Sequence, residues 1–152
     1  MSEHVDTTAL LAQLQATLSA MPPVAAMDIR IVGYDNGVLR MQAPLLANVN
    51  DKGNAFGGSL ASVMTLSGWA LVSLQLAMAG KEAEVYVADS SIRYRAPVYG
   101  ELMASAKAAP DQNWDSFLAV FNKRGRARVT VRAEIVGGAA ELEGRFVAIS
   151  KG

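Results

Sequence analysis

The stretch AFGGSLASVMTLSGWALVSLQLAMAG, residues 55–80, carries no charged side chain. A run of this length could cross a bilayer, for which roughly 20 apolar residues suffice. Ser59, Ser62, Thr65, Ser67, Ser73 and Gln75 interrupt it, however, and the segments after it read as strands with one charged face. A helix that is mostly apolar all round can also form the buried centre of a globular domain, and the composition favours that solution. The helix is expected from about Gly58 to Ala79, with Gly80 at the position just past its end, where glycine commonly stops a helix.

Working outward, the flanking segments change period. On the N-terminal side, Leu10, Leu11, Leu14 and Leu18 fall at helical spacing. Asp6 or Thr7 can cap that helix and Pro22-Pro23 stops it, so a helix within residues 1–22 is expected. Met27, Ile29 and Ile31 alternate with Asp28 and Arg30, and Leu39, Met41 and Ala43 with Arg40 and Gln42. Between them Asp35-Asn36-Gly37 signals a tight turn, which makes the pair a hairpin. Beyond the long helix, strands are expected over Val85 to Val98, Glu101 to Ala108, Arg126 to Val136 and Glu141 to Ser150, with Gly137-Gly138 turning the last pair. Trp114, Phe117, Leu118 and Phe121 fall at i, i+3, i+4 and i+7, so a short inserted helix is expected within residues 110–124.

The order is helix, two strands, long helix, then four strands with one helical insertion. It points to an α+β domain over residues 1–152, in which a curved antiparallel sheet of about six strands wraps the long helix on its apolar face. Open edges of such a sheet tend to pair with a second copy, so a homodimer is expected, with a tetramer left open.

Composition narrows the function. Fourteen basic residues balance fourteen acidic ones, so no net field draws the chain toward nucleic acid or an anionic membrane. No cysteine is present, which removes disulfides, thiolate nucleophiles and Cys-based metal sites, and fits a cytoplasmic setting. Met1 to Ala20 lacks a basic segment followed by an apolar one, so no signal peptide is expected. The single histidine, His4, lies near the terminus, which disfavours a Ser-His-Asp triad, a His-based metal site and a His/Asp hydratase pair.

Chemistry concentrates in Asn48-Val49-Asn50-Asp51-Lys52-Gly53-Asn54-Ala55-Phe56-Gly57-Gly58-Ser59. This polar loop ends in two glycines where the long helix begins. First-turn N–H groups have no partner inside a helix, and with the helix dipole they suit an oxyanion or a polarised carbonyl. The same glycines would also serve simply to let the helix start pack tightly.

Three motifs carry a resemblance: Asn-x-x-Gly-x-x-Phe-Gly-Gly-Ser from Asn50 to Ser59, Gly68-Trp69, and Ala88-Asp89-Ser90-Ser91-Ile92-Arg93-Tyr94. Together they resemble the YiiD-type thioesterase domains, some of which follow a GNAT acetyltransferase, within the hot-dog acyl-thioesterase superfamily. The order of elements is similar over about residues 27 to 150. The resemblance implies a hot-dog fold and an acyl-CoA or acyl-carrier-protein substrate, with no separate cofactor. In the phenylacetyl-CoA and human-type branch a His precedes the two glycines and a helix carboxylate follows nine residues later. Here those positions hold Phe56 and Thr65.

The resemblance implies a mechanism in which a Gly57 or Gly58 N–H polarises the thioester carbonyl while Asn50 and Thr65 position water. Asp89 is the best remaining carboxylate to serve as base, acting across a dimer interface. Phe56 and Ser59 would line the substrate, and Lys52, Arg93 and Arg95 would meet the phosphates of coenzyme A. Local roles compete with each of these: Asp89 can bond the strand backbone, Thr65 a carbonyl one turn back, and arginines can face solvent. A non-catalytic acyl-thioester binding or sensing domain is the rival reading, because Thr65 replaces the acid. Hydratase chemistry is disfavoured for want of a histidine near the pocket.

Overall fold

The computed structural model describes residues 6–152; His4 lies outside them. The long helix, α3 below, is the longest element, Gly57–Met78, and twelve of its 22 residues are buried. By length and composition alone it could cross a membrane. Here it packs across a six-stranded antiparallel sheet, touching β2, β3, β4, β5 and β6 as defined below.

Helix α1 (Thr8–Ser19) begins where the Thr8 N–H bonds the Asp6 carboxylate at 2.9 Å, and it packs Leu10, Leu11, Leu14 and the buried Leu18 on the core. Pro22-Pro23 ends this helix and starts another. Helix α2 (Pro22–Met27) uses both prolines in its first turn, where a missing N–H costs nothing. The expected strand beginning at Met27 is therefore corrected: Met27 closes α2, Asp28 caps it in the left-handed region (φ 53°), and β1 runs only over Arg30–Asp35. Met27 and Ile29 reach the core from helix end and turn, which imitates strand alternation.

Strands β1 and β2 (Val38–Ala43) form the expected hairpin, with Asn36 (φ 50°) and Gly37 (φ 77°) both left-handed as a type I′ turn requires. After α3, Gly80 takes φ 71° and the chain enters β3 (Ala83–Tyr94), then β4 (Leu102–Ala108). Strand β3 starts earlier and stops four residues sooner than expected. The N–H groups of Arg95 and Ala96 converge on the Ala139 carbonyl, Pro97 has none to offer, and Val98 turns to accept from Ala55.

Helix α4 (Trp114–Arg124) is the expected insertion, capped by Asn113, whose side chain accepts from the Ser116 N–H at 3.0 Å. Phe117 and Phe121 are buried, and Trp114 meets Phe117 edge-on with centroids 5.7 Å apart, so these rings are packing. Strands β5 (Arg126–Ile135) and β6 (Ala140–Ser150) complete the sheet, joined by a turn at Val136–Gly138.

The spatial order is β1-β2-β4-β5-β6-β3, every neighbour antiparallel. Leu39, Met41, Leu102, Ala104, Val129, Val131, Leu142 and Phe146 face α3, while the alternate positions face away. Helix and sheet approach tightly at Gly68: a Cβ there would stand 2.6 Å from the ring of Phe146, which is fully buried. A single long helix wrapped by a curved antiparallel sheet is the hot-dog arrangement.

Candidate active site

The site is built around the N-terminus of α3, and the preceding loop is shaped to deliver it. Val49 and Ala55 form an isolated antiparallel bridge, and the Asn50 N–H bonds the Asn54 carbonyl at 2.8 Å. Within this tight loop the Asn50 side chain is heavily engaged. Its oxygen accepts from the Lys52 N–H (2.8 Å) and the Asn54 N–H (3.2 Å), and its amide donates to the Asn54 side-chain oxygen (2.7 Å). Asn50 thus organises the loop as an Asx turn.

Asn48 was not a candidate from sequence, yet it fastens this loop to the body. It is 3% exposed; its amide donates to the Met27 and Pro44 carbonyls at 2.9 and 2.8 Å, and its own carbonyl accepts the Phe56 N–H at 2.7 Å. Phe56 is the residue that caps α3.

At the helix start the Ser59 and Leu60 N–H groups both bond the Phe56 carbonyl, at 3.0 and 3.1 Å. Among the described residues, the N–H groups of Gly57 and Gly58 find no acceptor. Two aromatic rings bracket them. The half-exposed Phe56 ring lies over Gly58, so that a Cβ there would come within 2.5 Å of it. Tyr94, from the end of β3, is also half-exposed; its hydroxyl donates to the Gly57 carbonyl at 3.3 Å and its ring stands 3.7 Å from where a Gly57 Cβ would be. Tyr94 is the second residue missed as a site candidate, although it ends the strand motif.

Further along α3, Gly58, Ser62, Thr65, Trp69 and Ser73 recur at helical spacing, and none is fully buried. This stripe is the face of the helix that the protomer leaves open. Ser62 bonds the Gly58 carbonyl (2.8 Å) and Ser67 the Met64 carbonyl (2.7 Å), the local bonds expected of helix hydroxyls. Thr65 makes no such bond. Among the described residues its hydroxyl has no hydrogen-bond partner, and the residue is partly buried on the open stripe. Ser59 is 4% exposed, in the first turn.

The remaining candidates lie elsewhere. A bulge between Val87 and Asp89 shifts the register of β3, leaving Ile92 and Tyr94 on the helix side and Asp89, Ser91 and Arg93 on the outer side. Asp89 is bonded to its cross-strand partner Arg145, by Nε at 3.1 Å and by a second contact from the same guanidinium. In the protomer it therefore faces away from Gly57 and Gly58. Arg93 shares that outer face. Arg95 pairs with Glu141 at 2.6 Å, and the Arg95 guanidinium, bonded to that carboxyl, holds Glu141 below the usual carboxylate range. Lys52 pairs with Asp51 at 3.0 Å on the exposed loop.

A concavity of about 980 Å³ is also found on the outer face, between Asp89, Lys107, Arg132, Glu134 and Arg145. It lies across the sheet from the helix start. Within it Arg132 pairs with Glu143 (3.0 Å) and Arg145 with Asp89. The chemistry on the helix side is better defined: two free N–H groups and two rings meet at the start of α3, with the Thr65 hydroxyl about two turns further along the open stripe.

Comparison with known proteins follows the same lines. The chain matches, at 31% identity and a TM-score of 0.83, a crystal structure from Shewanella oneidensis described as a putative thioesterase, covering 93% of this chain and 99% of that one. A protein of unknown function from Chlorobaculum tepidum aligns at 26% identity with a TM-score of 0.89, covering 95% and 96%. A probable thioesterase from Pseudomonas aeruginosa, at 19% identity and a TM-score of 0.72 over 91% and 95%, shares the fold. Residues 11–150 match the family described as "Putative thioesterase (yiiD_Cterm)", and with nearly the whole domain inside that match the chain belongs to this family.

Proposed function

We propose that the protein hydrolyses an acyl thioester of coenzyme A or of an acyl carrier protein at the N-terminus of α3. The observation that carries this reading is the pair of unpartnered N–H groups at Gly57 and Gly58, bracketed by Phe56 and Tyr94. Donors of this kind, aimed at developing negative charge in a site shielded from water, are each worth about 2.7–4 kcal/mol in related chemistry. The thioester carbonyl oxygen sits on these donors. Thr65 stands seven residues past Gly58, about 10 Å along the helix, so it is the free Thr65 hydroxyl of the second copy in the dimer proposed below that accepts a hydrogen bond from the attacking water. Water oxygen bonds to the acyl carbon, the C–S bond breaks, and the remaining proton passes to the thiolate sulfur. The products are a carboxylic acid and a free thiol.

Helix α3 has no charged residue, so no carboxylate on it acts as general base. General acid–base groups typically contribute 10²- to 10⁴-fold, so slow turnover is expected. That same lack favours a second reading, a domain that binds acyl thioesters without cleaving them. Free-thiol release from short, medium, long and aryl acyl-CoAs separates the two. Release that drops about 10-fold in Thr65→Val with KM unchanged supports hydrolysis, whereas calorimetric binding without release from any substrate leaves the binding domain.

The assembly we propose is a homodimer joined along β3. That strand is twelve residues long, and Tyr86 and Val87 on it are 51% and 43% exposed. A partner strand there would also bring a second chain beside the open stripe of α3.

A further inference from the structure

We infer that Tyr94 is a positioning residue for the carbonyl-binding donors, acting through the peptide that joins Gly57 to Gly58; this rests on the thioesterase reading above. The Gly57 carbonyl and the Gly58 N–H belong to one planar unit. A donor held against that carbonyl therefore also fixes the direction in which the N–H points. The Tyr94 hydroxyl is such a donor, at 3.3 Å. Hydrogen bonds arranged head to tail polarise one another, so the same contact strengthens the N–H as a donor toward substrate.

The need for it is local. Two successive glycines are the least restrained start a helix can have, because each lacks the Cβ that narrows backbone choice. Neither N–H is tied down, and the Phe56 ring that covers Gly58 is itself half-exposed. Tyr94, in contrast, stands on a firm base. It pairs with Ala140 at the end of the β3–β6 ladder, and the next two N–H groups, of Arg95 and Ala96, both bond Ala139. The phenol thus ties the peptide that joins Gly57 to Gly58 to the end of the sheet. Substituting its oxygen removes the tether while leaving the ring against Gly57.

The test compares wild type with Tyr94→Phe, using Tyr99→Phe as the control, since the Tyr99 side chain is 70% exposed and lies beyond the end of β3. In ligand-free protein, the Gly58 amide ¹H and ¹⁵N resonances should shift in Tyr94→Phe and stay in place in Tyr99→Phe. With the acyl-CoA that turns over best, kcat should fall about 3- to 10-fold in Tyr94→Phe with KM unchanged. An unmoved Gly58 resonance overturns the inference, and so does a loss confined to KM. If wild type releases no thiol at all, the thioesterase reading fails, and the tether then stands or falls on the Gly58 resonance alone.

Discussion

The two edges of the sheet have been treated in opposite ways. Strand β1 is short, carries a bulge between Ile31 and Gly33, and is covered by α1. Gln15 of α1 goes further and imitates a neighbouring strand: its side-chain oxygen accepts from the Ile31 N–H at 2.7 Å and its amide donates to the Ile29 carbonyl at 3.0 Å. On the helix side Tyr34 is held by Gln75 from α3, at 3.0 Å. Strand β3 is twice as long, and among the described residues no helix lies along its outer rim. A long bare edge invites pairing, which is the ground for the homodimer proposed above. The start of α3 lies beside the end of β3, where Tyr94 reaches Gly57, so the edge that would recruit a second copy also borders the candidate site.

That contrast can be broken by charging each edge. Val87 faces the helix side of β3, and a partner strand would bury it. Val87→Lys should raise the dimer dissociation constant by roughly 100-fold or more, since an unpaired buried charge costs several kcal/mol even after relaxation. Val32→Lys on β1, where the valine is 56% exposed, should leave it unchanged. Sedimentation equilibrium reads both. A wild type that sediments as one chain at tens of micromolar would remove the argument from edges.

Core packing must be separated from edge effects. Gly68→Ala forces a methyl against the buried Phe146 ring and should cost about 1–3 kcal/mol. The denaturation midpoint should drop with the dimer constant unaltered. The equivalent change at Gly58 meets only the half-exposed Phe56 ring, which can swing aside, so it should disturb activity more than stability. Gln15→Leu comes next. It leaves the Ile31 N–H and Ile29 carbonyl without their partner and should cost about 1–2 kcal/mol. Self-association that grows with concentration through the uncovered β1 edge should follow, visible as a second, heavier species.

Much of this architecture was legible beforehand. The uncharged run announced α3 because burial on nearly all sides demands it, and alternation in Arg126 to Ile135 announced β5 because one face meets the helix and the other solvent. Met27 misled because a buried side chain two residues before another imitates a strand whatever the backbone does between them. The site was half legible. Gly57 and Gly58 follow from the chemistry of a helix start. The bulge at residues 87–89, which turns Asp89 outward to Arg145, has no signature in the pattern of residue types, for one extra residue reverses every later side chain. Asn48 read as an ordinary loop residue, since its role depends on carbonyls at Met27 and Pro44 that only folding brings together.

The smallest effect concerns how the free edge is held at its end. Just beyond β3, Arg95 bonds Glu141 at 2.6 Å, and Arg93 and Arg132 add weaker attraction. The hydrogen bond from Arg95 is the main reason the Glu141 carboxyl titrates below its ordinary value of 4.5. A carboxyl depressed by folding adds stability that is fully present above that ordinary value and is lost as pH falls through the depressed one. Both partners are exposed, so the gain is small and screened by salt. The expected signs are a Glu141 carboxyl midpoint below 4.5 by NMR titration and, at acid pH, faster exchange of the Arg95 and Ala96 amides that anchor the strand end. Glu141→Gln should erase that acid dependence at neutral-pH activity close to wild type, because Glu141 lies on the outer face and touches neither Gly57 nor Tyr94. A midpoint at or above the ordinary value would mean that the end of β3 is held by its backbone alone.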